Sequence, residues 1–177
     1  MKNTIKIIGI VIFAIIIGFS FISCDNGSGG KSNTGGNTGG NTITETTLTI
    51  TGLGDYNGKW VFAWGETSSD FLFAANSVVF DEEEETLLIT CGQISNGSVT
   101  LKVLKEDDGS FIPFTRAGKV EMAILVSSQD PITEEEYYAL EGNPEEISWL
   151  EAVGLGEVTF SAGKGTIAFE AIDMELW

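Results

Sequence analysis

The feature that most restricts the fold of this chain is an alternation of period two. In TETTLTIT, residues 44–51, Leu48 and Ile50 alternate with Thr47, Thr49 and Thr51. Successive strand side chains point to opposite faces, so this pattern predicts a strand with one face buried and one wet; an amphipathic helix would repeat its apolar residues every three or four positions. The same reasoning predicts strands in KWVFAW (59–64), TLLITCGQI (86–94), SVTLKVL (98–104), KVEMAILV (119–126), EVTF (157–160) and TIAFEAID (166–173), with a less regular run from Phe71 to Phe80. Asn57-Gly58, Asn96-Gly97, Asp108-Gly109 within KEDDGS, and the Gly163–Gly165 segment supply the positive φ that tight hairpins need. Asn96-Gly97, between two alternating runs, is the clearest hairpin. About eight short strands joined in this way predict an all-β fold, an antiparallel β-sandwich or small barrel.

One segment departs from the pattern. Between Val126 and Val158, Thr133 is followed three residues later by Glu136, a capping box, and Gly142 is a stop. Asn143-Pro144 with Glu146 repeats the start signal. These predict a short helical insertion, roughly residues 133–152, holding two helices within a crossover.

The N-terminal residues have a different character. Lys2 and Lys6 precede an apolar run from Ile7 to Ile22, Ser23 is small, and the next charge is Asp25. A basic start, an apolar run and a small residue read as an export signal. The run is intermediate in length between a signal core and a membrane span, and its flanks favour a cleaved signal over a retained anchor, since both lysines come before it and the next charge is Asp25; either way the following chain lies outside the cytoplasm. Phe21-Ile22-Ser23-Cys24 resembles a bacterial lipobox, with Phe21 where that family usually has leucine, and the isoleucine-rich leader ending Ser-Cys-Asp resembles those of spirochaete lipoproteins. The resemblance implies removal of residues 1–23 as a signal peptide, acylation of Cys24, and membrane attachment through its acyl chains in the cell envelope, in the inner or the outer membrane. An ordinary cleaved signal, or a membrane helix with an incidental cysteine, is the alternative.

Residues 25–43, DNGSGGKSNTGGNTGGNTI, are nearly all Gly, Asn, Ser and Thr. Such a segment cannot bury enough apolar surface to offset the entropy of ordering it, so residues 24–43 are expected to form a flexible linker with a mean reach of about 25 Å. A phosphate-cradling glycine loop would need a preceding strand and a following helix. Residues 44–177 then suffice for one β-domain.

That domain is strongly acidic. Lys2 and Lys6 account for two of the nine basic residues, so the chain beyond residue 23 sets seven cations against 26 acids. Such a surface repels phosphate backbones and anionic lipid, which excludes nucleic-acid partners and leaves membrane contact to the anchor. The run Asp81–Glu85 reads as a solvated turn rather than a calcium loop. A transmembrane barrel is disfavoured, because counting back by twos from Trp177 gives Glu175 and Asp173, which would face lipid.

The chain contains no histidine, which removes the Ser-His-Asp triad, the Cys-His pair and His-based zinc sites. Cys91, on a strand face with Leu87 and Ile89, is expected to be buried and inert. No catalytic residue, metal site or cofactor is predicted, and a carboxylate-dependent glycan hydrolase is the weakest alternative. Binding is the expected role, with a glycan or an envelope protein as partner. The candidate residues are Tyr137, Tyr138 and Trp149 in the insertion, and Trp60 and Trp64, which share a strand face with Phe62. A structural envelope component without a small ligand is the alternative.

Overall fold

The alternating runs bury their apolar faces by closing on one another. The computed structural model describes residues 43–81, 86–141 and 147–173. The strands are β1 (Thr46–Thr51), β2 (Trp60–Glu66), β3 (Phe71–Ala75), β4 (Ser77–Asp81), β5 (Thr86–Thr90), β6 (Gly92–Gln93), β7 (Val99–Asp107), β8 (Ser110–Pro113), β9 (Gly118–Ser127), β10 (Ile132–Thr133), β11 (Leu150–Phe160) and β12 (Lys164–Ala168). Among the described residues one α-helix, α1 (Glu134–Tyr138), and 3-10 turns at Gly54–Tyr56 and Ala139–Glu141 accompany them. The domain is all-β with a short helix.

Seven strands form a principal sheet in the order β11-β9-β2-β3-β7-β1-β12, with β6 beside β2 and β8 beside β7. Its two end strands return to each other. Ser161 and Lys164 exchange both backbone hydrogen bonds, at 2.9 and 3.0 Å, and Gly154 bridges Ala171. Between these points side chains replace the ladder: a Cβ on Gly165 would stand 2.7 Å from the Phe160 ring and Val158, and one on Gly156 would stand 2.6 Å from Ile167. A side chain at Gly165 would collide with the Phe160 ring and Val158 together, whereas at Gly156 the Ile167 terminal methyl would have to move; the sheet becomes a nearly closed barrel. Leu48, Ile50, Val61, Leu101, Ile124 and Phe160 lie in its core, each at most 1% exposed. Outward positions of the same strands carry Thr47, Thr49, Thr100, Lys119, Glu121 and Glu157, the reverse of the apolar-out design of a membrane barrel.

A second, three-stranded sheet of order β10-β5-β4 is built from excursions out of the barrel. The chain leaves after β3, returns after β5, and leaves again after β9.

The structure corrects several expectations. The barrel is not wholly antiparallel, since β1 and β12 run parallel with Thr49 opposite Thr166. Asn57-Gly58 closes no hairpin, because β1 pairs with β7 and β12, not β2. It forms a type II turn instead, with φ −53° and ψ 132° at Asn57, φ 84° at Gly58, and Lys59 N–H donating to the Tyr56 carbonyl at 2.9 Å. The run 86–94 is two strands, broken where the chain changes sheets at Cys91. The run 157–160 is the end of an eleven-residue strand starting at Leu150, so the helical insertion ends before residue 150 rather than at 152. Its first helix forms with the expected Thr133–Glu136 capping box; Gly142, Asn143-Pro144 and Glu146 lie outside the described residues. Asn96-Gly97 forms the expected tight turn, with φ 53° and 70° and reciprocal Ser95–Ser98 hydrogen bonds at 3.1 Å, but the strands it joins meet only at that bridge, since β6 pairs with β2 and β7 with β1, β3 and β8.

Candidate functional site

Strands β2 and β3 have two apolar faces. Val61, Ala63, Leu72 and Ala74 line the barrel, while the alternate positions Phe62, Trp64 and Phe73 point away from it and are nevertheless 0%, 4% and 2% exposed. These outer rings are covered. Trp64 stacks on Phe71 at 5.8 Å between ring centroids, Phe71 meets Phe73 edge-on at 5.1 Å, and Phe73 meets Tyr137 of α1 at 5.7 Å. Tyr138 follows at 5.8 Å from Tyr137, so a row of rings runs from the barrel wall through α1 to the surface.

This row settles where the expected binding residues lie. Tyr137 is 1% exposed, Trp64 4% and Trp149 6%. All three side chains are buried, Trp64 and Tyr137 within the row of rings. Trp60 is half-buried at the start of β2, two periods of alternation from Trp64 with Phe62 between them. Tyr138, 43% exposed, is the most exposed of the expected residues. The five candidates therefore do not form a shared aromatic platform, because the sheet pattern that gathers rings on one face also provides a second layer to bury them.

Where the chain changes sheets, polar groups form a junction. Asn76 N–H donates to the Thr90 carbonyl at 2.9 Å, and its side-chain amide donates to the Cys91 carbonyl at 2.7 Å. Cys91 N–H donates to Asp130 Oδ1 at 2.6 Å, and Gln129 N–H donates to the Ser127 hydroxyl at 3.0 Å. Strand β10 covers only Leu88 and Ile89 of β5. Beyond it, Glu134 Oε2 accepts from Leu87 N–H at 3.1 Å. Two carboxylates thus extend a two-residue strand, accepting the N–H groups that a longer β10 would have paired. Glu136 completes this strap, accepting from Thr133 N–H and Oγ1 at 2.8 Å each and from the Gln129 amide. Burial alone would raise its pKa, but these hydrogen bonds outweigh burial and hold the carboxyl below its usual range.

Cys91 is fully buried and unpaired. Burial first, and then the adjacent Asp130 carboxylate, push its thiol far above the usual thiol range, the opposite of what a nucleophile needs. A second charged group lies at the β2–β3 turn, where Asp70 meets Arg116 at 2.8 Å, Lys105 at 3.3 Å and the Ser69 hydroxyl at 2.9 Å. Burial opposes ionisation of Asp70, yet Ser69, Lys105 and Arg116 together lower its pKa. Among the described residues no three His, Cys, Asp or Glu side chains are placed to hold a metal ion.

The surface residues that sequence pattern did not single out are Val79 and Leu88. They are directly opposed across β4 and β5, and are 55% and 39% exposed. Their signal was the doublets Val78-Val79 and Leu87-Leu88, where strict alternation fails and one residue of each pair must face outward. The row continues to Thr133 of β10, paired with Leu88. This outer face of the small sheet, with Tyr138 on the adjoining helix, is the candidate site. Comparison with protein-family models, with curated proteins and with solved structures finds no match.

Proposed function

We propose that this protein is a bacterial envelope lipoprotein. Residues 1–23 are removed as a signal peptide, Cys24 is acylated, residues 24–43 act as a tether, and the β-domain is displayed outside the cytoplasm as an interaction module. The observation that carries this reading is the border at Ser23-Cys24, where a run with lysines only at its start gives way to a Gly/Asn/Thr tail. A cysteine at that border gains a physical role from acylation, since each buried methylene contributes about 0.8 kcal/mol and more than one chain gives stable anchoring. The burial of Trp64, Tyr137 and Trp149 supports a protein partner over a glycan, which would need exposed rings to stack on. The test is Triton X-114 partitioning of the protein and its Cys24→Ala variant. The wild-type protein is expected in the detergent phase and the variant in the aqueous phase. A variant that stays in detergent would show that a retained helix, not an acyl chain, is the anchor.

A further inference from the structure

Four large apolar side chains are exposed among the described residues: Val79, Leu88, Tyr138 and Leu155. Three of them belong to one unit, the small sheet with α1. Val79 and Leu88 form a cross-strand pair on its outer face, and α1 packs beside β5. The barrel offers no comparable grouping, since Leu155 stands alone on β11.

The charge of this unit is also distinctive. On the barrel, cations meet acids: Lys59 with Glu151 at 2.6 Å, Lys119 with Glu157 at 2.7 Å, Lys102 with Glu45 at 3.6 Å, and Lys105 and Arg116 with Asp70. Residues 77–81, 86–91 and 129–141 contain no Lys or Arg. The strap carboxylates Asp130, Glu134 and Glu136 are instead held by N–H and O–H donors, which satisfy their hydrogen bonding, and among the described residues no Lys or Arg pairs with them to compensate their charge. Glu135 beside them is exposed. An apolar pair bordered by uncompensated carboxylates has the composition of half an interface, whose other half would bring apolar side chains flanked by cations.

We propose that the outer face of the small sheet, centred on Val79 and Leu88, docks a partner protein through a segment in which apolar residues are flanked by Lys or Arg. A second copy of this acidic chain would bring like charge to the same face, and an anionic lipid surface would be repelled. The inference rests on the reading of the domain as an interaction module but not on the lipid anchor.

The test uses the full chain in a non-ionic detergent and two short fluorescent peptides, one alternating lysine with valine and the other lysine with serine. The lysine–valine peptide is expected to bind with higher affinity, and the V79S/L88S variant to weaken it by about tenfold or more with far-UV circular dichroism and melting unchanged. Should the double variant fail to fold, Val79→Ser alone, at the more exposed position, and Glu135→Gln, which removes charge and keeps the shape, are each expected to weaken binding. Equal affinity for both peptides, or binding indifferent to these variants, would reduce the effect to bulk charge and overturn the proposal. Wild-type self-association in sedimentation equilibrium that V79S/L88S abolishes would overturn it in favour of a second copy. The Cys24→Ala variant separates the two readings. A variant that stays in the detergent phase while the lysine–valine peptide is still bound selectively defeats the lipoprotein alone; a variant that moves to the aqueous phase, with no selective peptide binding by the wild-type protein, defeats the docking face alone.

Discussion

The interior of the barrel and the layer beneath the small sheet are equally dry but differently built. The barrel core is largely aliphatic and is held by long ladders: β9 pairs with β11 from Gly118 to Ser127 on one side and with β2 from Glu121 to Ser127 on the other. The interlayer is aromatic, and its cover is held by a two-residue β10, two carboxylate acceptors and the Tyr137 ring. Backbone ladders are cooperative over many residues, whereas side-chain acceptors act one at a time. The strap should therefore be the least stable part of the fold to local opening, and it sits beside the face proposed to dock a partner.

The comparison can be broken at several points. Phe160→Ala removes a ring packed against Gly165 in the barrel seam and should destabilise the whole domain by about 3–5 kcal/mol, read from the denaturant midpoint. Tyr137→Ala should cost about 3 kcal/mol. If the two layers form one cooperative unit, it lowers the same single transition; an unchanged melt would show that Tyr137 is not core and would return it to the list of binding residues.

Asp130→Asn weakens the acceptor at Cys91 N–H and should cost about 1–2 kcal/mol, but its clearer effect is local. Cys91 labelling by a thiol reagent at neutral pH should accelerate about tenfold, which is the opening equilibrium that 1.4 kcal/mol represents. Rapid labelling of the wild-type protein would contradict the buried, strongly protonated thiol described above.

Thr133→Ala removes the helix cap and should cost about 1 kcal/mol. Its partner Glu136 has a folded-state pKa below its unfolded value, so its contribution is fully present above the unfolded pKa of about 4.3 and is lost as pH falls through the lower folded value. Glu136→Gln should accordingly flatten the acid limb of the stability profile while barely changing its slope at neutral pH. Smallest of all, V79S/L88S should change stability by no more than about 0.5 kcal/mol, because both side chains are exposed.

The residues readable in advance were those whose local pattern had one physical solution. Alternating Leu48 and Ile50 became a barrel strand, Asn96-Gly97 a tight turn closed between Ser95 and Ser98, and Thr133 with Glu136 a capped helix. Three things were not legible. Asn57-Gly58 has the residues of a hairpin turn, but whether a turn joins paired strands depends on partners far away, here β7 and β12 for β1. The change of sheet at Cys91 shifts the phase of burial from Leu87, Ile89 and Cys91 to Gly92 and Ile94, but Gly92 has no side chain to show the shift and only a two-residue strand follows it. Most consequential for function, an aromatic stripe such as Trp60, Phe62 and Trp64 looks the same whether it meets a ligand or a second protein layer, and only the placement of α1 distinguishes them.

Anchoring at Cys24 remains the central claim about what this protein does, and the intact mass of the N-terminal peptide from protein purified from its own membranes tests it most directly. The account predicts a peptide that begins at Cys24 and is heavier than its sequence by the mass of a diacylglyceryl group with or without a further acyl chain. A peptide that begins at another residue, or one that begins at Met1 with an unmodified Cys24, would contradict it.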